Sequence, residues 1–184
     1  DDLSRFYHRT AVHGPGVRVV AISTPHGAAL HKDDKSGAGT MDGGTMIEPA
    51  EIIEQYEKNR PFYKDGGLTV TGGEPLMQVD FLIDLFTLAK EHGIHTCIDS
   101  SGIAYKENNA AFIQKLDKLM PLTDLVMLDI KHIDPEKHKE LTSQPNDGIL
   151  AFAKYLEKKQ VPVWIRHVIV PGLTDDEKYL YQLG

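Results

Sequence analysis

Residues 68–75, with the sequence LTVTGGEP, constrain the fold of this chain more than any other stretch. Residues 68–71 are short, apolar and β-branched, which is typical of a buried strand. Gly72 and Gly73 then open the backbone where a side chain would block a ligand, and Glu74 adds a carboxylate. In proteins built from strand–helix repeats, ligands bind at the carboxyl ends of the strands. The segment therefore predicts a binding site, although an ordinary glycine turn beside a solvated acid explains it equally well when it is taken alone.

Strand and helix signals alternate along the chain. The strands are predicted at 17–22, 68–71, 94–98, 125–130 and 161–170, and the helices at 48–60, 78–92, 108–119, 135–141, 148–159 and from 174 onward. This alternation predicts the α/β class with a parallel sheet, in a single domain over residues 1–184. Five strands are too few for a closed eight-stranded barrel, so an open, partial barrel and a doubly wound sheet both remain.

Composition excludes several classes of function. The net charge is −7 and no basic patch is visible, which argues against a nucleic-acid binder. No apolar run reaches the length of a membrane span, and the first residues show no secretory signal pattern. The only cysteine, Cys97, lies in an apolar, strand-like run, so no intrachain disulfide can form and a reducing cytosol is the expected compartment.

Ionisable residues stand at the ends of the predicted strands. Glu74 follows the second strand and Asp99 ends the third, Asp129 and Lys131 lie at the end of the fourth, and Arg166 lies in the fifth. An acid beside open glycine backbone suits an ammonium group, whereas lysine and arginine suit a carboxylate; further acids suit ribose hydroxyls or a cation. The set predicts a site for a zwitterionic amino acid attached to a polar group, although each residue singly has an ordinary structural explanation.

Five segments of the chain form a recognisable set, in this order: residues 14–18, 71–74, 93–99, 123–131 and 163–172. Together they resemble the activating enzymes of pyruvate formate-lyase, within the radical S-adenosylmethionine superfamily. The resemblance implies a partial (β/α)6 barrel, of which this chain supplies about five units. It also implies reductive cleavage of S-adenosylmethionine to a 5′-deoxyadenosyl radical, which takes a hydrogen atom from a backbone glycine of the partner, pyruvate formate-lyase.

The resemblance further implies which residues bind the cofactor. In the family the Gly-Gly-Glu segment holds the amino group of S-adenosylmethionine, and a lysine and an arginine on later strands contact the same molecule. The matching cofactor-binding positions here are Gly72, Gly73, Glu74, Asp99, Asp129, Lys131 and Arg166. A monovalent cation in the family is held by positions that match Asp99, Ser100, Met127 and Asp129.

One defining motif of the family is absent. The family carries a CxxxCxxC loop after the first strand, whose three thiolates hold a four-iron four-sulfur cluster. Aligned without gaps from residues 14–16, those three positions fall on His26, Leu30 and Asp33. Cys97 lies in a different strand and cannot replace three clustered thiolates. The sequence therefore predicts a chain that is inactive in the radical reaction.

Residues 23–45, in the place of the cluster loop, are polar and rich in glycine. A loop of this length is typical of a functional or mobile segment, and we expect it to be mobile. His26, His31, Asp33 and Asp34 offer nitrogen and oxygen ligands, but their spacing matches no metal motif. A solvated loop is the better interpretation.

Three classes of function remain open. The first is a radical S-adenosylmethionine activating enzyme whose cluster loop is altered. The second is a cluster-free relative that binds S-adenosylmethionine as a binding or regulatory module. The third is an unrelated α/β-barrel enzyme that uses Glu74, Asp129 and Lys131 in acid–base chemistry.

Overall fold

The computed structural model describes residues 20–23, 47–63 and 66–184. Strands and helices alternate within these residues, as the sequence predicts. In chain order they are β1 (Val20–Ser23), α1 (Pro49–Tyr63), β2 (Leu68–Thr71), α2 (Val79–Glu91), β3 (Thr96–Ser100), α3 (Ala110–Leu119), β4 (Leu125–Asp129), α4 (Pro135–Thr142), α5 (Asp147–Lys158), β5 (Val163–Arg166) and α6 (Glu177–Leu183). Short 3-10 helices, Pro75–Gln78 and Met120–Leu122, precede α2 and follow α3.

The five strands form one parallel sheet in the order β1-β2-β3-β4-β5. This confirms the predicted α/β class and the predicted neighbouring parallel strands. Each strand lies beside its neighbour in sequence, and right-handed crossovers in such an order carry the connecting helices over the same face of the sheet. Helix α1 accordingly packs on α2, and α2 on α3. This is the topology of an open barrel segment, so the doubly wound alternative is wrong for the described strands.

The two faces of the sheet differ in what covers them. Leu68, Val70, Ile98, Val126 and Leu128 are buried in the core beneath the helices. The strand register aligns them across β2, β3 and β4, so they share one face. Because side chains alternate along a strand, the residues between them point to the opposite face. Of the residues predicted to form a site, Asp99, Asp129 and Arg166 lie on that opposite face, whereas Ser100 is in register with Leu128 on the core face.

Polar side chains set the starts of several helices. Asn109 accepts a hydrogen bond from the backbone N–H of Phe112 at the start of α3. Asp134 accepts two from the first turn of α4, where Pro135 occupies the first helical position. Asp176 caps α6 in the same way. Such caps satisfy donors that have no partner inside the helix, which is why these helices begin where they do.

Strand β5 ends at Arg166 rather than at residue 170, so the predicted end of this strand is wrong. The Thr174 hydroxyl accepts a hydrogen bond from Val170 N and donates one to Val168 O, each at 2.7 Å. The backbone after Arg166 therefore finds its partners in the following turn. Residues 167–170 are mostly apolar, so their sequence alone cannot distinguish this turn from a longer strand.

Residues 24–46 lie outside the described part of the chain. The mobile loop at 23–45, with His26, Leu30, His31, Asp33 and Asp34, therefore stays a prediction, as does the assignment of residues 1–184 to one domain. Among the helices that the structure describes, none is both long enough and apolar enough to cross a membrane.

Candidate functional site

The Gly-Gly-Glu segment follows β2 at the edge of the sheet where strands β2 to β5 end, which we call the carboxyl edge. Gly72 and Gly73 have φ angles of 92° and 43°, which residues with a side chain rarely adopt. Glu74 is extended and begins the 3-10 helix at Pro75, and its Oε1 accepts a hydrogen bond from Leu76 N at 3.2 Å. The local structure is the open turn into a helix that the sequence predicts.

Arg166 bridges two carboxylates on neighbouring strands. Its Nη1 donates to Asp99 Oδ2 at 2.7 Å, and its Nη2 donates to Asp129 Oδ2 at 2.9 Å. The parallel register places Asp129 directly beside Arg166. The Asp129 side chain is only 6% exposed, whereas that of Arg166 is 42% exposed. The arginine therefore neutralises a nearly buried acid while it keeps access to solvent.

Lys131 and Thr71 extend this set across the sheet. Lys131 Nζ donates to Asp129 Oδ2 at 2.8 Å, and Thr71 Oγ1 donates to Asp99 Oδ2 at 3.2 Å. Burial opposes the charge on Arg166, but the hydrogen bonds and charges of the two acids outweigh it and raise the pKa of its guanidinium. We call these five residues, Thr71, Asp99, Asp129, Lys131 and Arg166, the charge network.

Glu74 is tied to the same edge through the end of β3. Its Oε1 accepts from Ser100 Oγ at 2.7 Å, and its Oε2 accepts from both the hydroxyl and the backbone N–H of Ser101. Ser100 and Ser101 directly follow Asp99 in the chain. The structure thus places Glu74 at the same edge of the sheet as Lys131, next to the charge network.

The four residues matched to a cation site are arranged in two groups. Asp99 and Met127 are paired in register, and Asp129 follows two residues later on the same face. Ser100 instead has its hydroxyl hydrogen-bonded to Glu74. Asp129 Oδ1 is buried and accepts no hydrogen bond from the residues that the structure describes. A buried carboxylate oxygen without a donor is a position that a cation or a ligand N–H would satisfy.

The residues of this chain do not fit a four-iron four-sulfur cluster. Such a cluster needs several thiolates, and the sequence contains one cysteine. Cys97 is buried within β3, and burial is the main cause that raises the pKa of its thiol to about 11. Within residues 47–63 and 66–184, no three His, Cys, Asp or Glu side chains are grouped so as to hold a metal ion.

Sequence reasoning missed the contacts that two polar residues, Thr71 and His167, make near this edge. Val70 pairs with Ile98, so the next residues along each strand, Thr71 and Asp99, lie beside each other on the opposite face. Strand alternation could therefore have placed the Thr71 hydroxyl beside Asp99. His167 was not predictable in this way: its Nδ1 lies 2.7 Å from Ile130 O and its Nε2 lies 3.2 Å from Thr174 O. These contacts hold the segment after β5 against the end of β4.

Comparisons with known proteins point to one family. The Radical SAM superfamily model matches residues 30–183. The chain is 45% identical over 179 residues to the pyruvate formate-lyase-activating enzyme of Listeria monocytogenes, covering 94% of this chain and 70% of the relative. It is 47% identical over 180 residues to the enzyme of that name from Staphylococcus epidermidis, with the same two coverages.

Solved structures show a similar fold. A domain of a pyruvate-formate lyase-activating enzyme from Bacteroides vulgatus has a TM-score of 0.55 and 29% identity, covering 64% of this chain and 69% of that chain. Streptococcus suis SuiB bound to S-adenosylmethionine has a TM-score of 0.56 and 19% identity, covering 74% of this chain and 30% of that chain. At 19% identity, the second similarity concerns the fold alone.

We expect Cys97 to resist alkylation in the folded protein. A thiol pKa of about 11 instead of the ordinary 9.0 lowers the thiolate fraction at pH 8 about a hundredfold. Iodoacetamide labelling, followed by mass spectrometry, should therefore be at least about a hundredfold slower in the native chain than in urea. The native rate should rise about tenfold per pH unit from pH 8 to pH 10. Equal rates in the native and unfolded chains would contradict the buried, protonated thiol.

Proposed function

Because the chain belongs to the radical SAM superfamily, and within it to the pyruvate formate-lyase-activating enzymes, we propose that it binds S-adenosylmethionine at its carboxyl edge. The observation that carries the proposal is the charge network, in which Arg166 joins Asp99 and Asp129 while Lys131 shares Asp129. Both signs of charge stand side by side, as recognition of a zwitterion requires.

The residues of this edge fit the amino-acid part of S-adenosylmethionine. At neutral pH that part carries an ammonium, a carboxylate and a sulfonium. We assign the ammonium to the Gly72–Gly73–Glu74 segment and to Asp99, and the carboxylate to Lys131 and Arg166. Each assignment pairs opposite charges or places a donor against an acceptor. When bound, the cofactor supplies a sulfonium whose one-electron reduction releases a 5′-deoxyadenosyl radical.

Binding would exchange contacts within the charge network for contacts with the ligand. Arg166 is held by two acids, but its guanidinium is half-exposed and has five N–H donors. It can therefore bind a ligand carboxylate while it keeps a hydrogen bond to at least one of the two acids. Asp129 Oδ1 is the oxygen best placed to take a monovalent cation, together with Asp99 and Met127, because it is buried without a donor among the described residues. Ser100 is included in this proposed cation site by the resemblance alone, because its hydroxyl is hydrogen-bonded to Glu74.

The proposed partner is pyruvate formate-lyase, which the names of the relatives indicate, and the proposed compartment is the cytosol. We propose that this chain nevertheless forms no glycyl radical by itself. Reductive cleavage in the family passes through the iron-sulfur cluster, and a sequence with one cysteine cannot supply its ligands. The chain is then a cofactor-binding member of an activase family.

We expect isothermal titration calorimetry to show weak S-adenosylmethionine binding, in roughly the millimolar range. In the family, iron chelates the amino and carboxylate groups of the cofactor, and this chain has no ligands for that iron. The loss of such a bidentate contact costs several kcal/mol of binding free energy, and each 1.4 kcal/mol lowers the affinity about tenfold. Arg166→Gln and Lys131→Met should each weaken binding further, by about tenfold, because each removes a charged hydrogen-bond donor.

Lys118→Met is the matched control, since Lys118 is exposed on α3, and it should leave the affinity unchanged. Absence of heat from a folded wild-type chain would overturn the proposed site. That result would favour the acid–base alternative that uses Glu74, Asp129 and Lys131.

A second experiment addresses the missing cluster. After anaerobic incubation with iron and sulfide, the chain should show no four-iron signal in its visible and electron paramagnetic resonance spectra. Pyruvate formate-lyase incubated with the treated chain, S-adenosylmethionine and a reductant should show no glycyl radical. The Listeria monocytogenes relative, treated in parallel, is the positive control. A four-iron spectrum from this chain would contradict the proposal.

A further inference from the structure

We propose that His167 is a positioning residue of the cofactor site. Its side chain holds the Ile130 carbonyl at the end of β4 and thereby sets the direction in which Lys131 leaves the strand. Lys131 and Arg166 are the two cations assigned above to the carboxylate of S-adenosylmethionine, so their separation decides how well that carboxylate fits. His167 makes no contact with the ligand in this account. The inference rests on the S-adenosylmethionine site proposed above and adds to it a residue that acts through the backbone.

The backbone pairing between β4 and β5 ends at Ile130. Ile130 N donates to Arg166 O at 3.0 Å, which continues the parallel register that places Asp129 beside Arg166. In that register the donor to Ile130 O would be the backbone N–H of Val168. Strand β5 ends at Arg166, and this backbone bond is absent between the two described residues. Instead, His167 Nδ1 lies 2.7 Å from Ile130 O, so the side chain takes the place of the missing backbone donor.

The Ile130 carbonyl connects this contact to the cofactor site. Ile130 is 3% exposed, and a buried carbonyl without a donor costs free energy. The same planar peptide unit contains the backbone nitrogen of Lys131, so a hydrogen bond that fixes the plane also fixes where the lysine side chain starts. Lys131 Nζ and Arg166 Nη2 contact the same Asp129 oxygen, at 2.8 Å and 2.9 Å. A small rotation of this peptide would therefore change the distance between the two cations.

The imidazole of His167 is braced on its other side by the turn that follows β5. Its Nε2 lies 3.2 Å from Thr174 O. Thr174 is 4% exposed, and its hydroxyl bonds Val168 O and Val170 N at 2.7 Å each, so the turn is itself held together. A neutral imidazole has one N–H, and only the imidazolium donates from both nitrogens. We assign an N–H to Nδ1, because its contact with Ile130 O is the shorter of the two.

The test uses variants that keep one of the two contacts at a time. The side-chain amide nitrogen of asparagine stands close to the position of Nδ1 in histidine, and that of glutamine stands close to the position of Nε2. His167→Asn therefore retains an N–H donor for Ile130 O, His167→Gln retains one for Thr174 O, and His167→Ala retains neither. His95→Ala, at an exposed histidine just before β3, is the control for the loss of an imidazole.

Three measurements are made on each chain. Nuclear magnetic resonance titration of the isotope-labelled chain with S-adenosylmethionine gives dissociation constants in the range expected for this site. Long-range proton–nitrogen spectra of the imidazole show whether Nδ1 of His167 carries a proton, and thermal unfolding reports whether each variant remains folded.

We expect His167→Ala to weaken binding about fivefold, the factor that the loss of one hydrogen bond produces. His167→Asn should stay within about twofold of the wild-type affinity, because it keeps the donor to Ile130 O, whereas His167→Gln should bind as weakly as His167→Ala. His95→Ala should leave the affinity unchanged, and Nδ1 of His167 should carry a proton in the wild-type chain.

A merely structural role predicts a different pattern. Because the asparagine and glutamine variants each keep one contact, a general loosening of the turn would affect both alike. Equal affinities of these two variants, or the reverse order, would overturn the inference, as would an unprotonated Nδ1 or an unchanged affinity of folded His167→Ala. Each of these results, obtained beside a wild-type chain that binds, leaves the proposed function intact. Absence of binding by the folded wild-type chain refutes both.

Discussion

The bridge that Arg166 makes between Asp99 and Asp129 is the interaction on which the carboxyl edge depends. Parallel strands bring these two acids close together, and one of them is almost fully removed from water. Without a cation between them, their charges would repel each other in a poorly solvated place. The guanidinium satisfies both at once and ties the ends of β3, β4 and β5 together. Its position is therefore a condition for the fold of this edge as well as for the proposed binding of a ligand.

The topology explains why the strand residues of the charge network lie on the face of the sheet opposite the helices. Strands that follow one another in sequence carry their helices on one side, and the core of Leu68, Ile98, Val126 and their neighbours lies on that side. The opposite face holds alternating residues such as Met127 and the half-exposed Trp164, beside the acids of the charge network. A parallel sheet whose described helices pack on one face is the scaffold that the proposed site uses.

Sequence reasoning predicted the elements well because hydrophobic period and capping residues are local signals. It also placed Glu74, Asp129 and Lys131 at one edge, since strand ends of a parallel sheet meet there. It missed the early end of β5, where the Thr174 hydroxyl replaces a strand partner. It also did not foresee that Ser100 and Ser101 would take up the Glu74 carboxylate, because that contact depends on how two loops approach each other in three dimensions.

The central claim is that this chain keeps the half of the site that recognises S-adenosylmethionine and lacks the half that holds iron. The most direct measurement is an anomalous-diffraction crystal structure of the chain after anaerobic treatment with iron and sulfide and soaking with S-adenosylmethionine. We expect density for the cofactor against Lys131 and Arg166 at the carboxyl edge, and no anomalous peak from iron. An iron cluster bound by the chain, or the cofactor bound away from this edge, would contradict the account.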